Sequence, residues 1–127
     1  MAKTVLLVDD EIDMAKLTAL RLQHAGYDVL TAPGCQVAFE TLRNQKVDLI
    51  LLDIHLTGLN GYEICKAIRE NELTENLPVI FFSASSVTEV IRQKIKELNA
   101  QGFVQKPFDT RELLAKIREI LTRRSKA

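Results

Sequence analysis

A regular alternation of short apolar runs with longer segments of helical period constrains this fold more than any other feature. The apolar runs occupy residues 4–8, 27–31, 47–52, 78–82 and 102–105. Between them, apolar residues recur every three or four positions, as on one side of an amphipathic helix. Strands that alternate with helices predict a parallel sheet covered by helices on both faces, which is an α/β domain. The first and third runs are almost wholly apolar, as expected of strands buried on both faces.

The helical segments can be placed from the same periodicity. The first helix is predicted to begin at Asp10 or Glu11 and to end near Gly26, a residue suited to the position after a helix. The last two helices have apolar faces, formed by Val87, Val90, Ile91, Ile95 and Leu98 in one and by Leu113, Leu114, Ile117, Ile120 and Leu121 in the other.

The 127 residues suffice for one domain with its own core. We predict a domain over residues 1–122 and a basic tail or truncated linker over 123–127. Basic and acidic residues number 17 each, a balance that argues against nucleic-acid binding by this domain. No apolar run is long enough for a signal peptide or a membrane span. Because Cys35 and Cys65 form no CxxC motif, a reducing cytoplasm is the expected location.

Charged and hydroxyl side chains follow four of the five predicted strands. They are Asp9, Asp10 and Glu11 after the first strand, Asp53 after the third, Ser83 after the fourth and Lys106 after the fifth. Each residue alone can be explained as a helix cap or a turn residue. In an open parallel sheet, however, ligands bind beyond the carboxyl ends of the strands, where the strand order reverses. We therefore expect these side chains to meet at one edge of the sheet.

Carboxylates that converge in this way need a counter-charge. Two of them about 4 Å apart repel by roughly 4 kcal/mol at an effective dielectric constant of about 20. Such an oxygen-rich group suits Mg²⁺, which binds one or two carboxylates together with phosphate oxygens. A carboxylate beside Mg²⁺ can attack phosphorus and form an aspartyl-phosphate. Asp53 stands alone at its strand end and is the natural acceptor, with Asp9 and Asp10 on the metal side.

Four motifs, in this order, resemble the response-regulator receiver domains of two-component signalling. They are VDDE, LLDIHLTGLNG, FFSAS and QKPF, and the resemblance spans about residues 4–121. It implies a flavodoxin-like (βα)5 fold, a doubly wound five-stranded parallel sheet of order 2-1-3-4-5. It also implies a phosphoacceptor that assists its own phosphorylation and autodephosphorylation, and is not an enzyme acting on a separate substrate.

The resemblance further implies a role for each matched site residue. Asp53 would accept a phosphoryl group from a phosphohistidine of a sensor histidine kinase or a histidine phosphotransfer protein. Asp10, Asp53 and the backbone carbonyl of His55 would bind Mg²⁺, and Asp9 would act on the metal directly or through water. Lys106 would pair with a phosphoryl oxygen.

The resemblance also implies two residues that would transmit the effect of phosphorylation to the protein surface. Ser83 would move toward the phosphoryl group, and Phe103 would turn inward as the aromatic switch. The surface of helix 4, strand 5 and helix 5 would then change its affinity for a downstream protein or for an output domain outside this chain. A homodimer that forms on phosphorylation is left open, and Lys106–Pro107 is a candidate cis peptide bond.

The chain departs from the family pattern at four positions. Ser83 replaces a commoner threonine, Phe103 replaces tyrosine and lacks its hydroxyl, and Thr57 replaces a proline that would stiffen the loop. The fourth is His55, whose imidazole we expect to lie near the phosphoryl group. We hypothesise that this imidazole tunes the lifetime of the phosphoryl group.

Other classes of protein explain the motifs less well. A haloacid-dehalogenase-type phosphatase, the weaker alternative, has a second acid two residues after its nucleophile, where this chain has His55. An EF-hand needs glycine at the sixth loop position and glutamate at the twelfth, and the segment from Asp9 has Met14 and Leu20 there. In a flavodoxin, carboxylates after the first strand would repel the flavin phosphate. A receiver-fold binding module that is never phosphorylated remains as the main alternative.

Overall fold

Five strands and five helices alternate along the chain in the computed structural model, which describes residues 2–56, 58–84 and 88–126. The strands are β1 (Thr4–Val8), β2 (Asp28–Ala32), β3 (Leu49–Asp53), β4 (Val79–Ser83) and β5 (Gly102–Gln105). The helices are α1 (Ile12–His24), α2 (Cys35–Asn44), α3 (Gly61–Glu70), α4 (Glu89–Glu97) and α5 (Thr110–Lys126). All five predicted strands are confirmed, each to within two residues of its predicted limits. The predictions that concern Thr57 and Val87 lie outside the described residues.

The five strands form one parallel sheet of order β2-β1-β3-β4-β5, which confirms the predicted topology. The chain runs from β1 outward to β2 and then returns to β3 on the other side of β1. This reversal leaves the carboxyl ends of β1 and β3 side by side, with no connecting helix between them. The polar residues that follow these two strands are thereby brought to the same crevice.

Alternate side chains of each central strand enter two separate hydrophobic cores. Leu6 and Val8 lie in the core covered by α2, α3 and α4, whereas Val5 and Leu7 lie in the core covered by α1 and α5. Every residue of β3 and β4 is buried. A strand covered on both faces needs apolar side chains at consecutive positions, which is why these runs show no polar alternation.

The predicted apolar face of α5 is confirmed, but that of α4 is narrower than predicted. Ile91 is buried and Ile95 packs against the same core, whereas Val90 is 62% exposed. Successive helical residues are rotated by about 100°, so a helix that packs through Ile91 and Ile95 directs Val90 to one side. In α5, the prediction holds for Leu113, Ile117, Ile120 and Leu121, which are all buried. This helix continues to Lys126, so most of the predicted tail extends it.

The start of α1 differs slightly from its prediction. The helix begins at Ile12, and Glu11 occupies the position before it without a capping bond from its side chain. The predicted stop is confirmed, since Gly26 has a φ of 99° just after the helix. Ser83 does not cap the next helix, because the hydroxyl of Thr88 accepts the backbone N–H of Ile91 at the start of α4.

Gly61 allows α3 to begin directly against the loop that follows β3. A Cβ atom at this position would lie 2.9 Å from Cα of Ile54 and would overlap the backbone oxygen of Asp53. Asn60 and Glu63 form a capping box across the same turn, with each side chain accepting the other's backbone N–H. The close approach and the cap together define the path of the chain immediately after Asp53.

The guanidinium of Arg69 ties α3 to two loops at the opposite end of the sheet. Its nitrogens donate to the backbone oxygens of Leu98 at 2.8 Å, Leu77 at 2.7 Å and Asn99 at 2.9 Å. It therefore satisfies carbonyl groups that otherwise have to find water. Within the described part of the chain, no helix combines the length and the apolar character needed to cross a membrane.

Candidate functional site

The carboxylates predicted to converge lie together at the carboxyl ends of β1 and β3. Asp53 is the last residue of β3 and is 3% exposed; Asp9 follows β1 directly and is 4% exposed. Asp10 is exposed at the rim. One carboxylate oxygen from each of these three residues lies within 4.8 Å of the others. The strand order alone accounts for this meeting, because β1 and β3 are neighbours although their ends are more than forty residues apart.

Lys106 brings a positive charge into this group from the far edge of the sheet. Its Nζ lies 3.2 Å from Oδ2 of Asp9, 3.2 Å from Oε1 of Glu11 and 3.2 Å from Oδ2 of Asp53. The ammonium has three N–H donors, so each donor has one carboxylate acceptor. The side chain is only 11% exposed and its Nζ lies 4.7 Å from the ring centroid of Phe82. Lys106 therefore reaches across β4 to neutralise part of the acidic group.

The backbone around Lys106 positions its side chain. Its N–H donates to the backbone oxygen of Ser83 at 2.7 Å, which extends the pairing of β4 with β5 by one residue. The peptide bond between Lys106 and Pro107 is cis, as the sequence suggested.

Both buried aspartates are oriented by the backbone two residues later. Oδ1 of Asp9 accepts the N–H of Glu11 at 3.0 Å, and Oδ1 of Asp53 accepts the N–H of His55 at 2.9 Å. Each of these carboxylates thus has one oxygen held by a backbone N–H and the other directed at Lys106. Such turns are a common local use of aspartate, and here they leave little rotational freedom.

The electrostatics of the site follow from burial and from the shared ammonium. Burial raises the pKa of Asp53, and it outweighs the opposing effects of the His55 N–H and of the Lys106 charge. Burial alone would lower the pKa of Lys106, but the charges of Asp53 and Asp9 together outweigh it and raise that pKa. The lysine therefore remains charged at neutral pH, and the site holds more negative than positive charge.

Ser83 and Phe103, the predicted switch residues, lie on the two strands beyond β3. Ser83 is wholly buried at the end of β4, whose Phe82 is the register partner of Asp53. Phe103 is half-buried on β5 and packs against the core that contains Ile91 of α4. The middle of β5 is thus connected to α4 through this core, and Phe103 remains partly exposed at its edge.

Glu11 is the site residue to which sequence reasoning assigned no role. It was grouped with the carboxylates after the first strand, but its ion pair with Lys106 was not anticipated. The two residues are 95 positions apart, and no local pattern links them. The only available signal was the unbroken run of three acids, which is one more than a pair of metal-binding aspartates requires.

The donor set fits a hard divalent cation. Three carboxylates supply oxygen ligands close enough to share one ion, and Mg²⁺ prefers oxygen ligands and retains several waters. Asp10 is exposed, so the solvent side of the group is open to such waters. Asp9, Asp10 and Asp53 are the residues that could hold the ion.

Comparisons with known proteins identify the family to which this sequence is similar. The family model of the response regulator receiver domain matches residues 5–118. The phosphate regulon transcriptional regulatory protein PhoB of Pseudomonas aeruginosa is 37% identical over 123 residues, which cover 97% of this chain and 53% of that protein. The response regulator ArlR of Staphylococcus saprophyticus is 40% identical over 121 residues, which cover 94% of this chain and 52% of that protein.

The chain therefore spans about half the length of the curated relatives it matches. In contrast to these relatives, one solved structure is matched over almost its whole length. Chemotaxis protein CheY4 of Vibrio cholerae matches with a TM-score of 0.88 and 28% identity, over 94% of this chain and 98% of that one.

Proposed function

This chain belongs to the response-regulator receiver family of two-component systems, and on that premise we propose that it is a phosphorylation-activated switch whose phosphoacceptor is Asp53. One observation carries the proposal. The Asp53 carboxylate is buried at the end of β3, with one oxygen held by a backbone N–H and the other 3.2 Å from the ammonium of Lys106. A nucleophile fixed beside a cation is suited to attack an anionic phosphoryl group.

In the proposed reaction, the Asp53 oxygen nearest Lys106 forms a bond to phosphorus while the bond from phosphorus to a histidine nitrogen of the donor breaks. The electron pair of the broken bond stays on the imidazole, which takes up a proton. Lys106 then donates to a phosphoryl oxygen in place of the carboxylate oxygen that has reacted. Water later attacks the phosphorus and releases inorganic phosphate, which restores the Asp53 carboxylate. The chain in this scheme assists its own modification and does not turn over a separate substrate.

Receiver domains bind Mg²⁺ at an acidic pocket, and the residues present here fit that use. Asp9, Asp10 and Asp53 would hold the ion together with the backbone carbonyl of His55. When bound, Mg²⁺ neutralises charge on the phosphoryl oxygens. Lys106 and the backbone N–H groups of Glu11 and His55 orient the carboxylates of Asp9 and Asp53.

The phosphoryl donor would be a sensor histidine kinase or a histidine phosphotransfer protein that docks on α1. This helix begins one residue after Glu11, beside the site, and it leaves large apolar side chains exposed. Ile12 and Leu20 are each more than half exposed, and Leu17 is 43% exposed. Large apolar side chains that are exposed on a helix next to a polar site are typical of a protein-docking surface.

The output surface would be formed by α4, β5 and α5. Ser83 precedes the segment that leads to α4, so its movement toward a phosphoryl group would pull on that helix. Phe103 packs against the core that contains Ile91 of α4 and would respond to the displacement. Val90 is an exposed apolar side chain on the same helix. The target would be a downstream protein or an output domain. The domain limits, residues 1–122, and a cytoplasmic location are part of the proposal.

Intact-mass analysis after incubation with acetyl phosphate and Mg²⁺ tests the phosphoacceptor. We expect the gain of one phosphoryl group, which Asp53→Asn and removal of the metal should each abolish. Asp28→Asn is the matched control, because Asp28 is exposed at the opposite end of the sheet, and this variant should be phosphorylated like the wild type. A folded wild-type protein that gains no mass would favour the unphosphorylated binding module.

A further inference from the structure

We propose that Glu11 determines the donor specificity of this site, because its negative charge at the mouth slows phosphoryl transfer from small free anionic donors. The inference rests on the phosphoacceptor role proposed for Asp53. Glu11 acts through its negative charge and its ion pair with Lys106, and it does not contact phosphorus itself.

Glu11 is the outermost of the three carboxylates that share Lys106. Its side chain is 61% exposed, whereas that of Asp53 is 5% exposed and that of Asp9 is 3% exposed. The Glu11 and Asp53 oxygens both lie 3.2 Å from the same Nζ, so they are within about 6.5 Å of each other, a distance at which charges still interact strongly. A donor that approaches Asp53 from solvent therefore comes close to the Glu11 carboxylate.

The charge of Glu11 determines whether the site is neutral or negative when Mg²⁺ is bound. Asp9, Asp10, Glu11 and Asp53 are four negative charges, and Lys106 with one Mg²⁺ would contribute three positive ones. The loaded site would keep one net negative charge, which Glu11→Gln would remove. Glu11 also occupies one of the three N–H donors of Lys106, and it thereby competes with an incoming phosphoryl oxygen for the ammonium.

A donor carried on a protein is affected less than a free one. Glu11 lies immediately before α1, whose Ile12, Leu17 and Leu20 are exposed. A protein that covers these side chains gains apolar burial, which offsets the repulsion at Glu11. A small anion makes no such contact and meets the repulsion alone.

The experiment compares two small donors of different charge on the wild type and on Glu11→Gln. Acetyl phosphate is a dianion at neutral pH and phosphoramidate is a monoanion. Rate constants are measured by intact mass with Mg²⁺ in excess. We expect Glu11→Gln to accelerate transfer from acetyl phosphate about tenfold and transfer from phosphoramidate about threefold at low ionic strength. Both accelerations should largely vanish in about 1 M salt, where charges are screened beyond about 3 Å.

Two variants separate this charge effect from a structural one. Glu11→Asp keeps the charge and should retain the slow rate with acetyl phosphate. Asp13→Asn removes an exposed charge in the first turn of α1 and should change both rates little. Equal acceleration of both donors by Glu11→Gln, insensitivity to salt, or no acceleration would overturn the inference. A wild type that no donor phosphorylates would instead overturn the phosphoacceptor role of Asp53, and this inference with it.

Discussion

Replacing Lys106 with methionine removes the ammonium but keeps a side chain of similar length, so it isolates the electrostatic role of the lysine. In the wild type, Nζ lies 3.2 Å from carboxylate oxygens of Asp9 and Asp53, both of which are almost wholly buried. Glu11 is exposed and can turn to water. The substitution therefore leaves two buried carboxylates facing each other without their counter-charge.

The cost can be bounded in two ways. Removing one partner of a buried ion pair typically destabilises a protein by about 3–5 kcal/mol. Alternatively, one buried carboxyl can take up a proton. At pH 7, protonating a carboxyl whose ordinary pKa is about 3.9 costs about 4 kcal/mol, at about 1.36 kcal/mol per pH unit. We expect Lys106→Met to lower the free energy of unfolding by about 3 kcal/mol at pH 7 in the absence of divalent metal.

The pH dependence gives a second check. Burial already raises the pKa of Asp53 in the folded protein, and without the lysine this pKa rises further above its unfolded value. Between the unfolded and the folded pKa values, the folded variant holds a proton that the unfolded chain has lost. The stability of the variant therefore falls as the pH rises from the unfolded pKa to the folded pKa. At pH 5, the same proton uptake costs about 1.5 kcal/mol, so the difference from the wild type should shrink to that size or less.

Urea denaturation followed by far-ultraviolet circular dichroism, at pH 5 and pH 7 with a chelator present, measures both quantities. Lys94→Met is the matched control, because Lys94 pairs with Glu97 at 3.6 Å on an exposed helix and should contribute less than about 1 kcal/mol. Added Mg²⁺ should restore part of the stability of Lys106→Met. A loss below about 1 kcal/mol, or an equal loss at both pH values, would refute the argument that Lys106 compensates buried charge.

Three further substitutions test other parts of the structure. Gly61→Ala should destabilise the protein by about 2 kcal/mol in urea, because the added Cβ overlaps the loop after β3. Gly34→Ala should cost far less, because no atom of the described residues lies within 4 Å of a Cβ added there. Arg69→Met removes the donors of partly buried carbonyl groups and should cost about 2–4 kcal/mol. Arg92→Met, in an exposed pair, should cost under about 1 kcal/mol. His55→Ala should lengthen the half-life of the phosphorylated protein several-fold, if the imidazole accepts a proton from the attacking water. Equal half-lives for this variant and the wild type would contradict the role given to His55.

The fold could be predicted from sequence because its signals are local and repeated. Each central strand is covered on both faces, so it appears as an apolar run, and β3 and β4 were found within two residues. The prediction was wrong for Val90, because an apolar residue beside the packed stripe of a helix has the same local pattern as one within it. Only the contacts of α4 with the sheet distinguish Val90 from Ile91.

The site could be predicted in part for a different reason. In a parallel sheet, every strand ends at the same edge, so the residues after the strands had to meet once the order was given. That argument brings Asp9, Asp53 and Lys106 to one crevice without any knowledge of side-chain positions. It could not identify Arg69, whose donors bind carbonyl oxygens in loops far away in sequence.

The strands, the helices, the sheet edge and the acidic character of the site depend on burial patterns and on residue type, so they can be predicted from the sequence. Which carboxylates share the ammonium of Lys106 can be learned only from the assembled fold. That choice depends on how far one long side chain extends across β4 and on which acids remain buried there. Distances of a few ångströms control electrostatic energy, and residues 95 positions apart acquire such distances only when the sheet is assembled. Glu11 is therefore an ordinary helix-flanking acid in the sequence and an ion-pair partner of Lys106 in the fold.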